Sequence, residues 1–193
     1  ILSEHTNLTK YTYTRLMGLI MIDPSIFKAY DIRGTYPDQL NEDVAYKIGR
    51  AFVEHLEVKQ VAVGHDMRLS APNLKPHLFQ GISDAGASVI DLGMVGTEVM
   101  YFAVGHYGYE SGIMLTASHN PKEYNGMKMV SKGSIPMSGD SGIYQVRDLV
   151  VGKDYQKLNT TPQVSEKNPY PDYKTLVRGF ADLDKAASLK IVI

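Results

Sequence analysis

Gly112-Ile113-Met114-Leu115-Thr116-Ala117-Ser118-His119-Asn120-Pro121 is the stretch from which the rest of the chain can be read. Its first four residues are a short apolar run of the kind that fills a buried strand. Asn120-Pro121 is a turn signal. A strand that stops in a small polar turn puts a hydroxyl at the edge of an open α/β sheet, where ligands of such sheets bind. His119 stands beside Ser118, and Lys122, Lys128 and Lys132 follow soon after. Those neighbours suit a group that carries or receives a phosphoryl. On residue type alone a plainer reading comes first, that of an ordinary loop serine before an ordinary turn.

Outward from this stretch the pattern alternates. Asn41 caps a helix in which Val44, Ala45, Ile48, Phe52 and Leu56 recur at helical spacing, with Glu42 and Asp43 in the first turn. A buried-type strand follows over 61–64. A loop carries Asp66 and Arg68, and Pro72 opens a second helix that Gly86 closes. The next strand covers 87–92; Gly93 and Gly96 break it, and Thr97 caps a third helix over 97–106. After the serine turn, 126–130 returns as a strand, and the return is too short for a crossover, which predicts a hairpin. Asp140 is expected to cap a helix over 141–151. Strand, helix, strand, helix, strand implies an α/β fold with a mixed, largely parallel sheet and flanking helices.

Residues 1–20 read as an N-terminal extension before a start at Met17 or Met21, and 21–152 as the domain that holds the serine loop. Residues 153–169 are polar and without periodicity, which reads as a linker. A helix over 170–180 and a strand over 189–193 then read as the start of a second, truncated domain. The chain of 193 residues is 44% hydrophobic, enough for a real core, and its net charge of −1 argues against a general nucleic-acid binder. A small phosphorylated ligand needs only a local cluster of donors. With no cysteine there is no disulfide frame, thiolate zinc site or cysteine nucleophile, which fits the cytoplasm. No apolar run reaches the roughly 20 residues that span a bilayer.

Four segments carry the candidate chemistry. A serine hydrolase would set its nucleophile in G-x-S-x-G, and Ser118 has no flanking glycine. A serine that is itself phosphorylated needs neighbours that stabilise the phosphate charge, and His119, Lys122 and Lys128 qualify. In Tyr30-Asp31-Ile32-Arg33-Gly34, Arg33 in a loop is either a phosphate donor or the partner of Asp31 in a surface ion pair. In Gly64-His65-Asp66-Met67-Arg68, either Arg68 comes near the same sheet edge or, the commoner fate, Asp66 and Arg68 pin the loop. Met127 and Met129 alternate with Lys128, so methionines in the core would turn Lys128 the other way, toward a cleft. No metal-binding carboxylate cluster is complete.

Phe27-Lys28-Ala29-Tyr30-Asp31-Ile32-Arg33-Gly34, Gly64-His65-Asp66-Met67-Arg68-Leu69-Ser70, Thr116-Ala117-Ser118-His119-Asn120-Pro121 and Tyr124-Asn125-Gly126-Met127-Lys128 together resemble the α-D-phosphohexomutases. The likeness points to the bacterial phosphomannomutase/phosphoglucomutase branch and its N-terminal domain. Three motifs agree in order and spacing, which moves Ser118 from ordinary loop residue to phosphoserine. The resemblance implies that Ser118 donates its phosphoryl to a hexose monophosphate. A hexose 1,6-bisphosphate then reorients and returns the other phosphate, so phosphate moves between positions 1 and 6. It implies that Tyr30, Arg33, His119 and Lys128 line the reaction centre and that Tyr30, Arg33 and Lys128 meet substrate. His119 and Lys128 are its candidates for proton transfer and charge stabilisation, and Asn120 for shaping the loop.

By the same resemblance Mg2+ would meet Ser118 through its phosphate, while its other ligands lie later in the family than Ile193. This chain is therefore expected not to hold Mg2+ tightly and to have negligible mutase activity alone. The motif forms lean toward mannose or glucose phosphates. His65 departs from the arginine that many members carry. Two other readings stay open: a standalone binding module, self-associating through surfaces that later domains would cover, and a serine hydrolase.

Overall fold

The computed structural model of the chain describes residues 22–158, 160–182, 185 and 190. The expected extension over 1–20 and, apart from Lys190, the expected strand over 189–193 lie outside them. In chain order the elements are β1 (Ile32–Thr35), α1 (Glu42–Leu56), β2 (Gln60–His65), α2 (Ala71–Asp84), β3 (Ser88–Met94), α3 (Thr97–Tyr107), β4 (Ser111–Leu115), β5 (Tyr124–Ser131), β6 (Ile135–Pro136), α4 (Tyr144–Gly152), β7 (Val164–Glu166) and α5 (Tyr170–Arg178). The sheet runs β1-β5-β4-β2-β3-β7, with β6 paired to β5. Strands β4, β2, β3 and β7 are parallel neighbours, and β5 pairs antiparallel with β4, β1 and β6. The fold is the mixed, largely parallel sheet that the alternating pattern implies, and the hairpin after the serine turn is present.

Strand alternation divides the core in two. Val61, Val63, Val89, Ile113, Leu115, Met127 and Met129 face one side, where they pack with α1, α2 and α4. Ala62, Ile90, Leu92, Met114 and Val130 face the other, where α3 lays Val99, Met100, Ala103 and Val104 against them. A period of two thus feeds two apolar layers, and the strands read as continuous apolar runs because both faces are covered. Helix α1 starts where the Asn41 side chain accepts from the Val44 amide at 3.1 Å. It crosses α2 backbone to backbone: a Cβ on Gly81 would stand 2.1 Å from the Tyr46 carbonyl oxygen.

Three local expectations change. Thr97 is the first residue of α3, and Gly96 occupies the cap position. The helix after β6 begins at Tyr144 and not at 141, because a wide turn over Gly139–Ile143 comes first; Ser138 and Ser141 close it with a reciprocal capping box, in the place expected for Asp140. The polar stretch read as a linker contributes β7, parallel to β3 at the sheet edge. All three residues of β7 are exposed, so no alternation marks them.

That exit segment has further anchors, among them Tyr155, whose hydroxyl donates to Glu54 at 2.9 Å. Asp84, 7% exposed, accepts from Tyr46 Oη at 2.8 Å, Gln80 Nε2 at 2.8 Å, the Leu158 amide at 3.0 Å and the Thr160 hydroxyl. Its burial works against ionisation. The hydrogen bonds from Thr160, Tyr46, Gln80 and Leu158 outweigh that and hold its carboxyl at about 2. Helix α5 docks on α3 through Tyr107 Oη, which donates to Asp172 at 2.5 Å, and through the Phe102–Tyr173 edge contact. Burial first, and then that bond to Asp172, push the Tyr107 phenol up to about 12. No helix among the described residues is long and apolar enough to cross a membrane.

Candidate active site

Strand β4 delivers the serine loop from the middle of the sheet, between parallel β2 and antiparallel β5. Thr116 and Ala117 are still buried, and the chain surfaces at Ser118. Ser118 has φ +54°, a left-handed conformation that costs a non-glycine residue about 1 kcal/mol. Such strain persists only where the surroundings over-determine it. Here the Ser118 amide donates to Thr116 Oγ1 at 2.8 Å, and that hydroxyl donates to Asp66 Oδ2 at 2.7 Å. The Asn120 amide closes the turn onto the Ala117 carbonyl at 3.0 Å.

Arg68 crosses from the β2–α2 loop to the same place. Its Nη1 donates to the carbonyls of Pro121 at 2.8 Å and Tyr124 at 2.9 Å, and its Nη2 to those of Ser118 at 2.8 Å and Asn120 at 2.7 Å. Its Nε lies 3.3 Å from Asp66 Oδ2. The pinning expected of Asp66 and Arg68 therefore reaches beyond their own loop. Met67 and Leu69, between and beyond them, are 81% and 91% exposed and beside the site.

The cations come from β1 and β5. Arg33 is on a strand, not in a loop, and pairs in register with Gly126. One step past the last registered pair, Ile32 with Met127, stand Asp31 and Lys128. Met127 and Met129 are in the core, and Lys128 points the opposite way, as the alternation requires. Asp31 Oδ2 accepts from Arg33 Nη2 at 2.6 Å and from Lys128 Nζ at 3.2 Å. The ion pair expected at the surface is thus largely buried, with the Asp31 side chain 9% exposed. Arg33 Nη1 also donates to Asn120 Oδ1 at 2.8 Å, which ties β1 to the serine loop. Burial first, and then the Asp31 charge, push the nearby Tyr101 phenol above its usual range.

Gly126 makes this convergence possible. A Cβ there would stand 2.1 Å from the Ile32 carbonyl oxygen and 2.8 Å from that of Thr116. The Gly126 carbonyl meanwhile accepts from the Thr116 amide at 3.0 Å. Asn125, fully buried, donates to Ser70 Oγ at 2.7 Å and braces the start of β5.

Arg33 and Lys128 are brought together on Asp31, and Arg33 reaches the serine loop at Asn120, two residues after Ser118. His119 Nδ1 lies 3.4 Å from Ser118 Oγ, closer than divergent neighbours would suggest but long for a hydrogen bond. Tyr30 is 77% exposed and makes no side-chain hydrogen bond among the described residues. That Asp31 also takes Lys128, that Thr116 caps the Ser118 amide and that Arg68 gathers the loop's carbonyls escaped the sequence reading. For Asp31 the signal was its i, i+2 relation to Arg33, which puts both on one face of an extended chain. Among the described residues no group of three or more His, Asp or Glu is arranged to hold a metal ion. Asp31 and Asp66 are each paired with cations.

The family described as phosphoglucomutase/phosphomannomutase, alpha/beta/alpha domain I, matches residues 24–157. A phosphomannomutase of Escherichia coli (strain K12) is 44% identical over 172 residues, covering 86% of this chain and 37% of that protein. A phosphomannomutase sequence from Klebsiella pneumoniae is 43% identical over 157 residues, covering 79% of this chain and 100% of its own length. Among solved structures, a phosphoglucomutase/phosphomannomutase family protein from Burkholderia thailandensis superposes with TM-score 0.73 at 37% identity, over 82% of this chain and 36% of that one. The chain thus spans little more than a third of the Escherichia coli relative. Neither the hydrolase nor the standalone module finds support in these matches. The chain belongs to the phosphoglucomutase/phosphomannomutase family, and residues 24–157 correspond to its first α/β/α domain.

Proposed function

We propose that this chain is the phosphoryl-carrying part of a phosphohexomutase, with Ser118 as the residue that is phosphorylated. One observation carries the reading: an exposed serine is held in a left-handed turn at the end of a central strand, in a loop that one of two cations sharing a buried carboxylate reaches at Asn120. Phosphoryl transfer asks a protein for positioning and charge neutralisation, and this arrangement supplies both. The Ser118 oxygen passes its phosphoryl to the free hydroxyl of a mannose or glucose phosphate. The resulting hexose 1,6-bisphosphate turns over, and its other phosphate returns to Ser118. Arg33 and Lys128 face the transferring group, Lys128 and His119 hold or move the hydroxyl proton, and Tyr30 meets the sugar. Asn120, fixed by Arg33 and Arg68, keeps the loop in shape.

Mg2+, when bound, would add positive charge at the phosphate. Only Ser118 of this site would contact it, so no step here is routed through it. We assign 21–152 to the first domain, 153–169 to the connection and 170–193 to the beginning of a second domain, in a cytoplasmic enzyme. The chain spans little more than a third of the Escherichia coli relative, and we propose that it has negligible mutase turnover by itself. Intact mass after incubation with glucose 1,6-bisphosphate tests the reading. One added phosphate is expected on the parent and none on Ser118→Ala; phosphate on the variant overturns it. In a coupled mutase assay, turnover near that of the full-length relatives would overturn the claim of inactivity.

A further inference from the structure

We infer that Arg68 is the positioning residue of the serine loop: its guanidinium gathers four main-chain carbonyls of residues 118–124 and thereby fixes where the Ser118 hydroxyl stands. This rests on Ser118 being the phosphoryl carrier. A tight loop leaves main-chain carbonyls short of strand or helix partners, although that of Pro121 also accepts from the Tyr124 amide at 3.1 Å. Those of Ser118, Asn120, Pro121 and Tyr124 converge on the two terminal nitrogens of Arg68 within 2.7–2.9 Å. The side chain that does this is only 10% exposed.

Asp66 doubles the hold. Its Oδ2 faces Arg68 Nε at 3.3 Å and accepts from Thr116 Oγ1, which in turn accepts from the Ser118 amide. The Asp66–Arg68 pair thus ends on both sides of Ser118, on its N–H through Thr116 and on its C=O directly. That is the over-determination a left-handed serine requires. The Asp66 amide itself donates to the Leu115 carbonyl at 3.0 Å, so the pair is fastened to the last residue of β4. There is also an electrostatic reason for arginine. Four carbonyl dipoles pointed at one spot repel each other and any phosphate nearby, and a cation at that spot cancels both effects. A lysine brings the charge but not the planar fork that serves four acceptors at once.

The test uses Arg68→Lys and Arg68→Ala in the full chain, with two readouts. Amide hydrogen exchange of residues 116–126 is expected to speed up roughly tenfold in Arg68→Lys while the helices α1 and α2 keep the parent's protection. Unchanged exchange in that loop overturns the clamp, whether or not Ser118 ever carries phosphate. The second readout is the rate at which Ser118 takes phosphate from glucose 1,6-bisphosphate, by intact mass. The maximal rate is expected to fall on the order of 100-fold in both variants, with less than about a twofold change in the half-saturating concentration. Millimolar guanidinium ion is expected to restore part of that rate in Arg68→Ala. A parental rate in Arg68→Lys overturns the positioning role. A parent that takes no phosphate sinks the phosphoserine reading instead, and the exchange readout then decides the clamp alone.

Discussion

The serine loop and the exit segment after Gly152 are both surface structures, yet they are held in opposite ways. The loop over 116–124 is fastened by charged groups from two other elements, Arg33 of β1 and Asp66 and Arg68 of the β2–α2 loop, over a glycine on β5. The exit segment is fastened at separate points: the carboxylates of Glu54 and Asp84, the buried Tyr155, a three-residue edge strand and an aromatic contact on α3. Its helix α5 buries no residue, and Leu176, Val177 and Phe180 are 43%, 44% and 78% exposed. The lesson is that local precision and local stability are separate quantities. The loop gives up backbone comfort at Ser118 for a fixed hydroxyl, whereas the exit segment needs only to stay attached.

Ser118→Gly breaks the comparison at its sharpest point. All phosphate uptake by the loop is expected to vanish, and thermal unfolding is expected to show a gain of about 1 kcal/mol as the left-handed strain is relieved. Loss of stability in that variant would show that the serine conformation is not strained. Gly126→Ala attacks the loop's foundation. A methyl group 2.1 Å from the Ile32 carbonyl oxygen forces β1 and β5 apart, and urea unfolding should register a loss of about 3 kcal/mol.

Asp84→Ala attacks the exit segment's main anchor. It leaves Tyr46, Thr160 and the Leu158 amide without their acceptor, at a cost of about 2 kcal/mol. Limited proteolysis should then cut within 154–163 while the serine loop remains resistant. The same carboxyl gives the segment an acid limit. Its folded value, about 2, lies below its ordinary 3.8, so the stability it contributes is complete above pH 4 and is lost as pH falls through about 2. Unfolding of the parent across that window should be steeper in pH than that of Asp84→Asn. The smallest effect is expected from Leu176→Ser: an exposed side chain on α5 should change stability by no more than about 0.5 kcal/mol.

The sequence made the serine loop legible because a buried strand, a turn and the Met-Lys-Met alternation all leave period and punctuation. The two apolar layers left their trace in continuous runs such as Val61-Ala62-Val63. Strand β1 was missed as a strand because four residues ending in Gly-Thr carry too little alternation. Strand β7 left no trace at all, since neither of its faces is buried. The site was legible in its members and not in its wiring. Lys128 and Arg33 are visible as cations. That both rest on Asp31, and that Arg68 serves a loop fifty residues away, depends on which strands become neighbours, and no window of sequence contains that.

One consequence concerns the charge count. Over its full length the chain carries a net charge of −1. Around Ser118, however, Arg33, Arg68 and Lys128 stand against Asp31 and Asp66, which leaves one positive charge in excess. These side chains are 26% exposed or less, so dissolved ions screen them less than they screen surface lysines. An almost neutral molecule therefore presents a salt-tolerant anode, a few ångströms wide, at the one hydroxyl where a doubly charged group would have to rest.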